Sequence, residues 1–163
     1  MLLATKKLKI RNGRIGLISD THGLVRPQAL AALKGSELII HAGDIGKPDV
    51  LEALSTVAPV IAIRGNNDRD LWAKEIPDLL ALKINGIKVY VIHNVNELVH
   101  DSVERFQVVV SGHSHKPSLV TRGEILFINP GSAGPRRFKL PVTVARLQID
   151  GAKAQAKISI LEV

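Results

Sequence analysis

The 163-residue chain contains no cysteine, which excludes disulfides, thiolate metal sites and a cysteine nucleophile together. Aromatic residues are scarce: three Phe, one Tyr and one Trp make up 3 % of the chain, too few for a platform on which successive bases stack. No apolar run approaches the ~18 residues of a membrane span, and the basic amino terminus lacks the apolar stretch of a secretory signal. The expected setting is therefore the cytoplasm, without a membrane partner. Hydrophobic residues still reach 45 % against 23 % charged, enough to bury a core and unlike a disordered chain. The length suits one domain, with residues 1–13 read as a basic arm and 14–163 as the folded unit.

A net charge of +7 is one mark of nucleic-acid binding, but its distribution disfavours that partner. Lys6, Lys7, Lys9, Arg11 and Arg14 all stand in the first fourteen residues, with no acid among them. A frayed, solvated arm accounts for this run, with a binding tail as the alternative.

Along the chain, β-branched apolar runs alternate with helical patterns. Residues 14–19, 38–41 and 60–63 read as strands. Residues 27–34 and 49–58 read as helices, the first opened by Pro27 and closed by Gly35, the second stopped by Pro59. This β-α-β-α-β order implies parallel strands joined by crossovers. Asn85 and Gly86 then mark a tight hairpin between 80–84 and 87–92. A third helix is expected over 96–106, with Val99, Val103 and Phe106 inward, followed by strands at 107–110, 118–122, 125–128, 142–149 and 153–161. Two mixed sheets packed face to face, with helices outside, would accommodate these elements.

Polar residues gather where strands end. Asp20 and His22 follow the first, Gly43 and Asp44 the second, Asn66, Asn67 and Asp68 the third, His93 the hairpin, and His113 and His115 the strand after the third helix. Each piece alone is weak, because Asp-x-His is a common turn or cap and Asn-Asn-Asp a loop bonding its own backbone. In an open α/β sheet, however, the carboxyl ends of strands line the ligand crevice, so five segments deliver Asp, His and Asn to one edge. Four imidazoles, two carboxylates and an amide are costly without partners. They suit divalent manganese, iron, cobalt, nickel or zinc better than magnesium or calcium. Two such ions ~3.5–4 Å apart can share a bridging hydroxide and clamp a phosphoryl group for in-line displacement.

The ordered set D-x-H, G-D, G-N-x-D, H and G-H-x-H resembles the calcineurin-like metallophosphoesterases, in particular their small bacterial and archaeal phosphodiesterase branch. Residues 129–132 followed by Pro135, Arg136 and Arg137 are similar to the segment that closes the site there. The resemblance runs from about Ile15 to Gly151. It implies a four-layer α/β/β/α sandwich in which Asp20, His22 and His115 hold one metal, Asn66, His93 and His113 the second, and Asp44 bridges them. It further implies a phosphodiesterase acting on a small phosphorylated substrate by in-line attack of a metal-bridging hydroxide, with manganese the first choice of ion and Asp44, His22 and Asn66 at the chemistry. The sequence departs from the family at Asn94, where many members carry Gly, and at Asn67, where larger relatives carry a histidine that protonates the leaving group. His22 or a metal-bound water is then the candidate proton donor. A protein-binding scaffold with a vestigial site, like the retromer subunit of the same fold, is the rival from another class, and a nuclease using the basic arm is a third. A homo-oligomer is compatible with either.

Asn67 and Arg136 are the expected substrate contacts, with Arg137 sharing the second role. His41 is expected to support or pack rather than ligate, His100 to face solvent, and residues 129–132 to form a turn holding the histidine loop. Trp72 either walls the crevice or packs its own loop. No serine has the spacing of a nucleophilic triad.

Overall fold

The computed structural model describes residues 4–99 and 105–163. Arg14–Ile18 (β2), Leu38–His41 (β3) and Val60–Ala62 (β4) are parallel neighbours, and Thr143–Asp150 (β10) and Lys153–Ile160 (β11) complete a five-stranded sheet in the order β11-β10-β2-β3-β4. The second sheet has six strands: Thr5–Leu8 (β1), Leu79–Ile84 (β5), Ile87–Ile92 (β6), Val108–Val110 (β7), Ser118–Arg122 (β8) and Ile125–Asn129 (β9), in the order β1-β5-β6-β7-β9-β8. Both sheets mix parallel and antiparallel pairs.

The two-residue period of a strand divides the apolar side chains. Ile15, Leu17, Leu38 and Ile40 of one sheet meet Leu82, Val89, Val91, Val108 and Val110 of the other in a buried core. Ile18 and Ile39 point the opposite way, under Pro27–Ala32 (α1) and Pro48–Ser55 (α2), against Leu33, Val50 and Leu54. Each helix begins with the proline that the sequence places there. The outer face of the six-stranded sheet buries Tyr90, Ile92 and Val109 beneath Leu79, Leu98 and Phe106. No helix among the described residues is long and apolar enough to cross a membrane.

Two expectations are corrected. The basic arm is not free from Thr5 onward: Thr5–Leu8 pairs in parallel with Ala81–Ile84 of β5. Asn85 of the hairpin turn then clasps Ile10, accepting from its N–H and donating to its C=O, both at 2.9 Å. The sheet edge supplies the hydrogen bonds that a lysine-rich segment with no apolar stripe does not advertise. The nuclease reading loses the loose arm on which it leaned. The third helix does not begin at Asn96 either. Val95–Glu97 is a single 3-10 turn capped by the Asn94 side chain, Leu98 is extended, and Val99 is 64 % exposed rather than inward. The rest of that expected helix, with His100 and Val103, lies outside the described residues. Phe106 does turn inward, edge-on to Tyr90 with ring centroids 5.1 Å apart.

Candidate metal centre

Five chain segments reach one edge of the two sheets: the loops after β2, β3, β4, β6 and β7. Their polar residues sit in unusual backbone. Asp20 (φ 54°), His22 (47°), Asp44 (56°), His113 (71°) and His115 (63°) are all left-handed, five of the seven non-glycine residues so placed among those described. This conformation costs about 1–3 kcal/mol per residue and persists only where the surroundings over-determine it.

Hydrogen bonds between the loops supply that constraint. Asp20 N–H donates to Gly43 O (3.0 Å), His22 N–H to Asp44 O (3.0 Å) and Gly23 N–H to Ile45 O (2.8 Å), lacing the first loop to the second. Buried Asp68 accepts from the N–H groups of Ile45 (3.0 Å), Gly46 (3.0 Å) and Gly65 (2.9 Å), tying the second loop to the third. His41, fully buried, links the first two again. Its Nδ1 accepts from Gly43 N–H (3.1 Å), so the proton is on Nε2 and donates to Thr21 Oγ1 (2.9 Å), whose hydroxyl donates to Ile45 O (2.8 Å). Burial, with the charge of His93 adding, pulls the His41 pKa down to about 3 and keeps the ring neutral. Asn129 donates to Gly112 O (2.9 Å) and Ser132 Oγ to Asp20 O (2.9 Å), so the turn at 129–132 holds the histidine loop as expected.

Inside this frame the side chains converge. Asp20 Oδ1 lies 3.5 Å from His115 Nε2, 3.8 Å from His93 Nε2 and 4.0 Å from His22 Nε2. Its other oxygen is taken by the Ser19 hydroxyl (2.8 Å) and His113 N–H (3.0 Å). Asp44 Oδ2 lies 3.4 Å from His93 Nε2 and 3.8 Å from His22 Nε2. His22 and His115 stack, with their Nε2 atoms 3.4 Å apart. Two donor groups result, Asp20-His22-His115 and Asp20-Asp44-His93, each with ligand atoms within 4.8 Å of one another. The first is the trio expected for one ion. In the second, Asp20 stands beside His93, so both carboxylates lie between the groups. His113 meets the His93 ring edge-on at 5.2 Å, and with exposed Asn66 it lines the crevice beside His93.

The chemistry of this donor set fits divalent cations. Asp20 Oδ1 and His93 Nε2 are buried and lack any hydrogen-bond partner, as does His115 Nδ1, although buried polar atoms are otherwise almost always paired. His93 Nδ1 donates to Ala42 O (2.7 Å), which turns the Nε2 lone pair toward both carboxylates, the orientation a metal-ligating imidazole takes. Burial raises the Asp20 pKa despite His93 and Ser19. Burial would also raise that of Asp44, but the His93 imidazole 3.4 Å away, the Asn67 N–H and the charge of His22 hold it well below the carboxylate range. His93 is pulled up against its own burial by Asp44, the Ala42 carbonyl and Asp20. His115 is pulled down by burial and by the Arg137 charge, with Asp20 opposing.

One expected role changes. Asn67 does not face the crevice as a free substrate contact: its N–H and amide donate to Asp44 Oδ1 and Oδ2, both at 3.0 Å. The charge of Arg137 reaches His115. Trp72 packs against the core beneath the helices, the second of its two expected placements. Asp68 is part of the G-N-x-D motif, but the sequence analysis gives it no role; its position three after Gly65 is the signal, because that spacing lets its carboxylate close on the Gly65 N–H. An open crevice of about 1180 Å³ runs from Asn66, His93 and His113 past Arg69 to Lys88 and Tyr90.

Comparison with known proteins agrees with this fold. The family model described as a calcineurin-like phosphoesterase superfamily domain matches residues 14–152. The chain is 37 % identical over 157 residues to a probable metallophosphoesterase of Methanothermobacter thermautotrophicus, covering 88 % of this chain and 90 % of that protein. A solved structure described as a novel archaeal phosphodiesterase superposes with a TM-score of 0.74 at 25 % identity, over 90 % of this chain and 99 % of that one. Vps29 of Entamoeba histolytica, complexed with zinc, gives 0.71 at 17 % identity over 90 % and 98 %, a likeness of fold alone.

Proposed function

The chain belongs to the calcineurin-like phosphoesterase superfamily, and we propose that it is a phosphodiesterase working with two divalent transition-metal ions. The observation that carries this reading is the pair of donor groups meeting at Asp20, with the partnerless Asp20 Oδ1 and His93 Nε2 facing each other across 3.8 Å. Asp20, His22 and His115 would hold one ion, and His93, His113 and Asn66 the other, with Asp44 between. When bound, such a pair supplies an acidified water and a clamp for phosphoryl oxygens.

The protein's own groups do the rest. Asn67 fixes both oxygens of Asp44, the Ala42 carbonyl fixes the His93 tautomer, and Ser19 and His113 N–H fix Asp20. Among the described residues, His22, with a side chain 26 % exposed, and exposed His113 are the imidazoles that reach solvent. With both placed as ligands, a leaving alkoxide takes its proton from water in the open crevice. Preference for diesters is supported by the crevice, whose open length beside His93 leaves room for a second ester arm, and by the likeness to a solved archaeal phosphodiesterase.

The test loads purified chain with manganese, counts bound metal, and compares bis(p-nitrophenyl) phosphate with p-nitrophenyl phosphate. Two ions per chain, faster diester cleavage and loss of both in Asp20→Asn support the reading. A chain that purifies and stays metal-free fits the scaffold reading instead.

A further inference from the structure

Phe138 is 89 % exposed and, among the described residues, the one aromatic in the set of large apolar side chains left in solvent. It also has φ 54°, an uncommon conformation for a bulky side chain. The other left-handed non-glycine residues among those described are the five candidate ligands and Asn85, which suits such a turn. Phe138 alone is neither ligand nor turn former. A bond from Leu140 N–H to Arg137 O (3.1 Å) holds it in place at the tip of a four-residue turn.

That turn grows directly from the metal centre. Ala133 N–H donates to Ser19 O (3.1 Å) and Ser132 Oγ to Asp20 O (2.9 Å). Gly134 packs so closely on the carbonyls of Asp20 and Thr21 that a Cβ would collide with both, and Arg26 donates to Gly134 O at 3.3 Å. Phe138 follows only four residues later, so it is within about 14 Å of that anchor even in a fully extended chain, a span that a nucleotide bridges. Arg136, Arg137 and Lys139 flank it in the sequence. A ring carried between cationic residues matches a ligand with a phosphate and an aromatic face, whereas an apolar protein surface would leave the three charges unpaired.

We propose that the 134–140 turn is the substrate-recognition arm of this centre, in which Arg137 bonds a non-bridging phosphoryl oxygen and Phe138 stacks on an aromatic base carried by the ester, so that the preferred substrates are nucleoside phosphodiesters. The proposal rests on the phosphodiesterase reading above. Phe138 is then a specificity-determining residue acting mainly through KM.

The test compares the p-nitrophenyl ester of thymidine 5′-phosphate with methyl p-nitrophenyl phosphate, which release the same leaving group, using the manganese-loaded full chain. Wild type favours the nucleoside ester roughly 5- to 150-fold in kcat/KM, the range of one base-aromatic stack. Phe138→Ala brings the two esters to near parity by raising KM for the nucleoside ester, and Phe138→Trp restores the preference. A readout without turnover is saturation transfer from the protein to the base protons of adenosine 5′-monophosphate, present in wild type and lost in Phe138→Ala. Equal use of both esters by wild type, or a preference that survives Phe138→Ala, overturns the proposal. So does a Phe138→Ala variant that loses only its binding to phosphatidylserine vesicles. If wild type cleaves neither ester, the phosphodiesterase reading fails separately, and saturation transfer still decides whether Phe138 stacks on a base.

Discussion

Asp68→Asn isolates the constraint that holds the second and third loops of the metal centre together. The Asp68 carboxylate, 1 % exposed, takes three backbone N–H groups: Ile45 and Gly65 on Oδ2, Gly46 on Oδ1. An amide of the same shape can keep an oxygen toward the buried Ile45 and Gly65 groups only by turning its NH2 against Gly46. That replacement loses one bond outright and reduces two charge-assisted bonds to neutral ones. With ~1.5–3 kcal/mol for a bond to a charged group against ~1 for a neutral pair, the cost is roughly 2.5–7 kcal/mol. For a chain of this size each kcal/mol lowers Tm by about 2–4 °C, so the expected drop is roughly 5–28 °C. Because Asp44 lies next to Ile45, manganese affinity also weakens by about 10- to 100-fold, the usual cost of losing a support behind a ligand. Calorimetry on chelator-treated protein reads the first effect and isothermal titration with manganese the second. A Tm within about 1 °C of wild type, with unchanged affinity, would refute the assignment of Asp68 as the tie between these loops.

Three further outcomes follow from the same frame. Gly65→Ala drives a Cβ into Asp44 Oδ1 and its backbone nitrogen. On the phosphodiesterase reading, diester hydrolysis falls by about a hundredfold, the cost of misplacing a reacting group by ~1 Å, and steady-state kinetics checks this. His41 is held neutral to about pH 3, whereas its ordinary value is 6.5. Its contribution to stability is therefore complete above pH 6.5 and is lost as pH falls, because the unfolded chain takes a proton that the native one refuses, at about 1.4 kcal/mol per pH unit. Urea midpoints of the chelator-treated chain between pH 4.5 and 6.5 should fall more steeply for wild type than for His41→Gln, and parallel slopes would contradict this. Phe138→Asn relieves a left-handed aromatic whose side chain buries almost nothing. It raises Tm by about 2–4 °C for each kcal/mol of strain released, and a thermal melt reads the sign.

The ligand loops were legible because they obey a topological rule: strands 14–18, 38–41 and 60–62 run parallel, and whatever follows their carboxyl ends must meet. Asp20, His22 and Asp44 could be placed together on that ground, and His93 and His115 follow the parallel neighbours β6 and β7 of the facing sheet. The left-handed backbone that turns them inward could not, since it arises from bonds between loops, such as Asp20 N–H to Gly43 O, that no local pattern encodes. Asn67 misled for a related reason, because an exposed amide beside a metal centre looks free until its distance to Asp44 is known. β1 was hidden because its partner β5 is more than seventy residues away and its own residues are mostly exposed. The expected third helix failed where the Asn94 cap ends in a single turn and the chain straightens at Leu98.

The placement of β1 gives the basic start of the chain a different meaning. As the outermost strand of its sheet, it would present unsatisfied backbone groups to any other extended peptide, an invitation to fibre growth. Lys6 and Lys7 stand exposed along that border, where two like copies approaching side by side would repel. The cluster of positive charge thus works as a fence that keeps neighbouring molecules from adding themselves to the sheet.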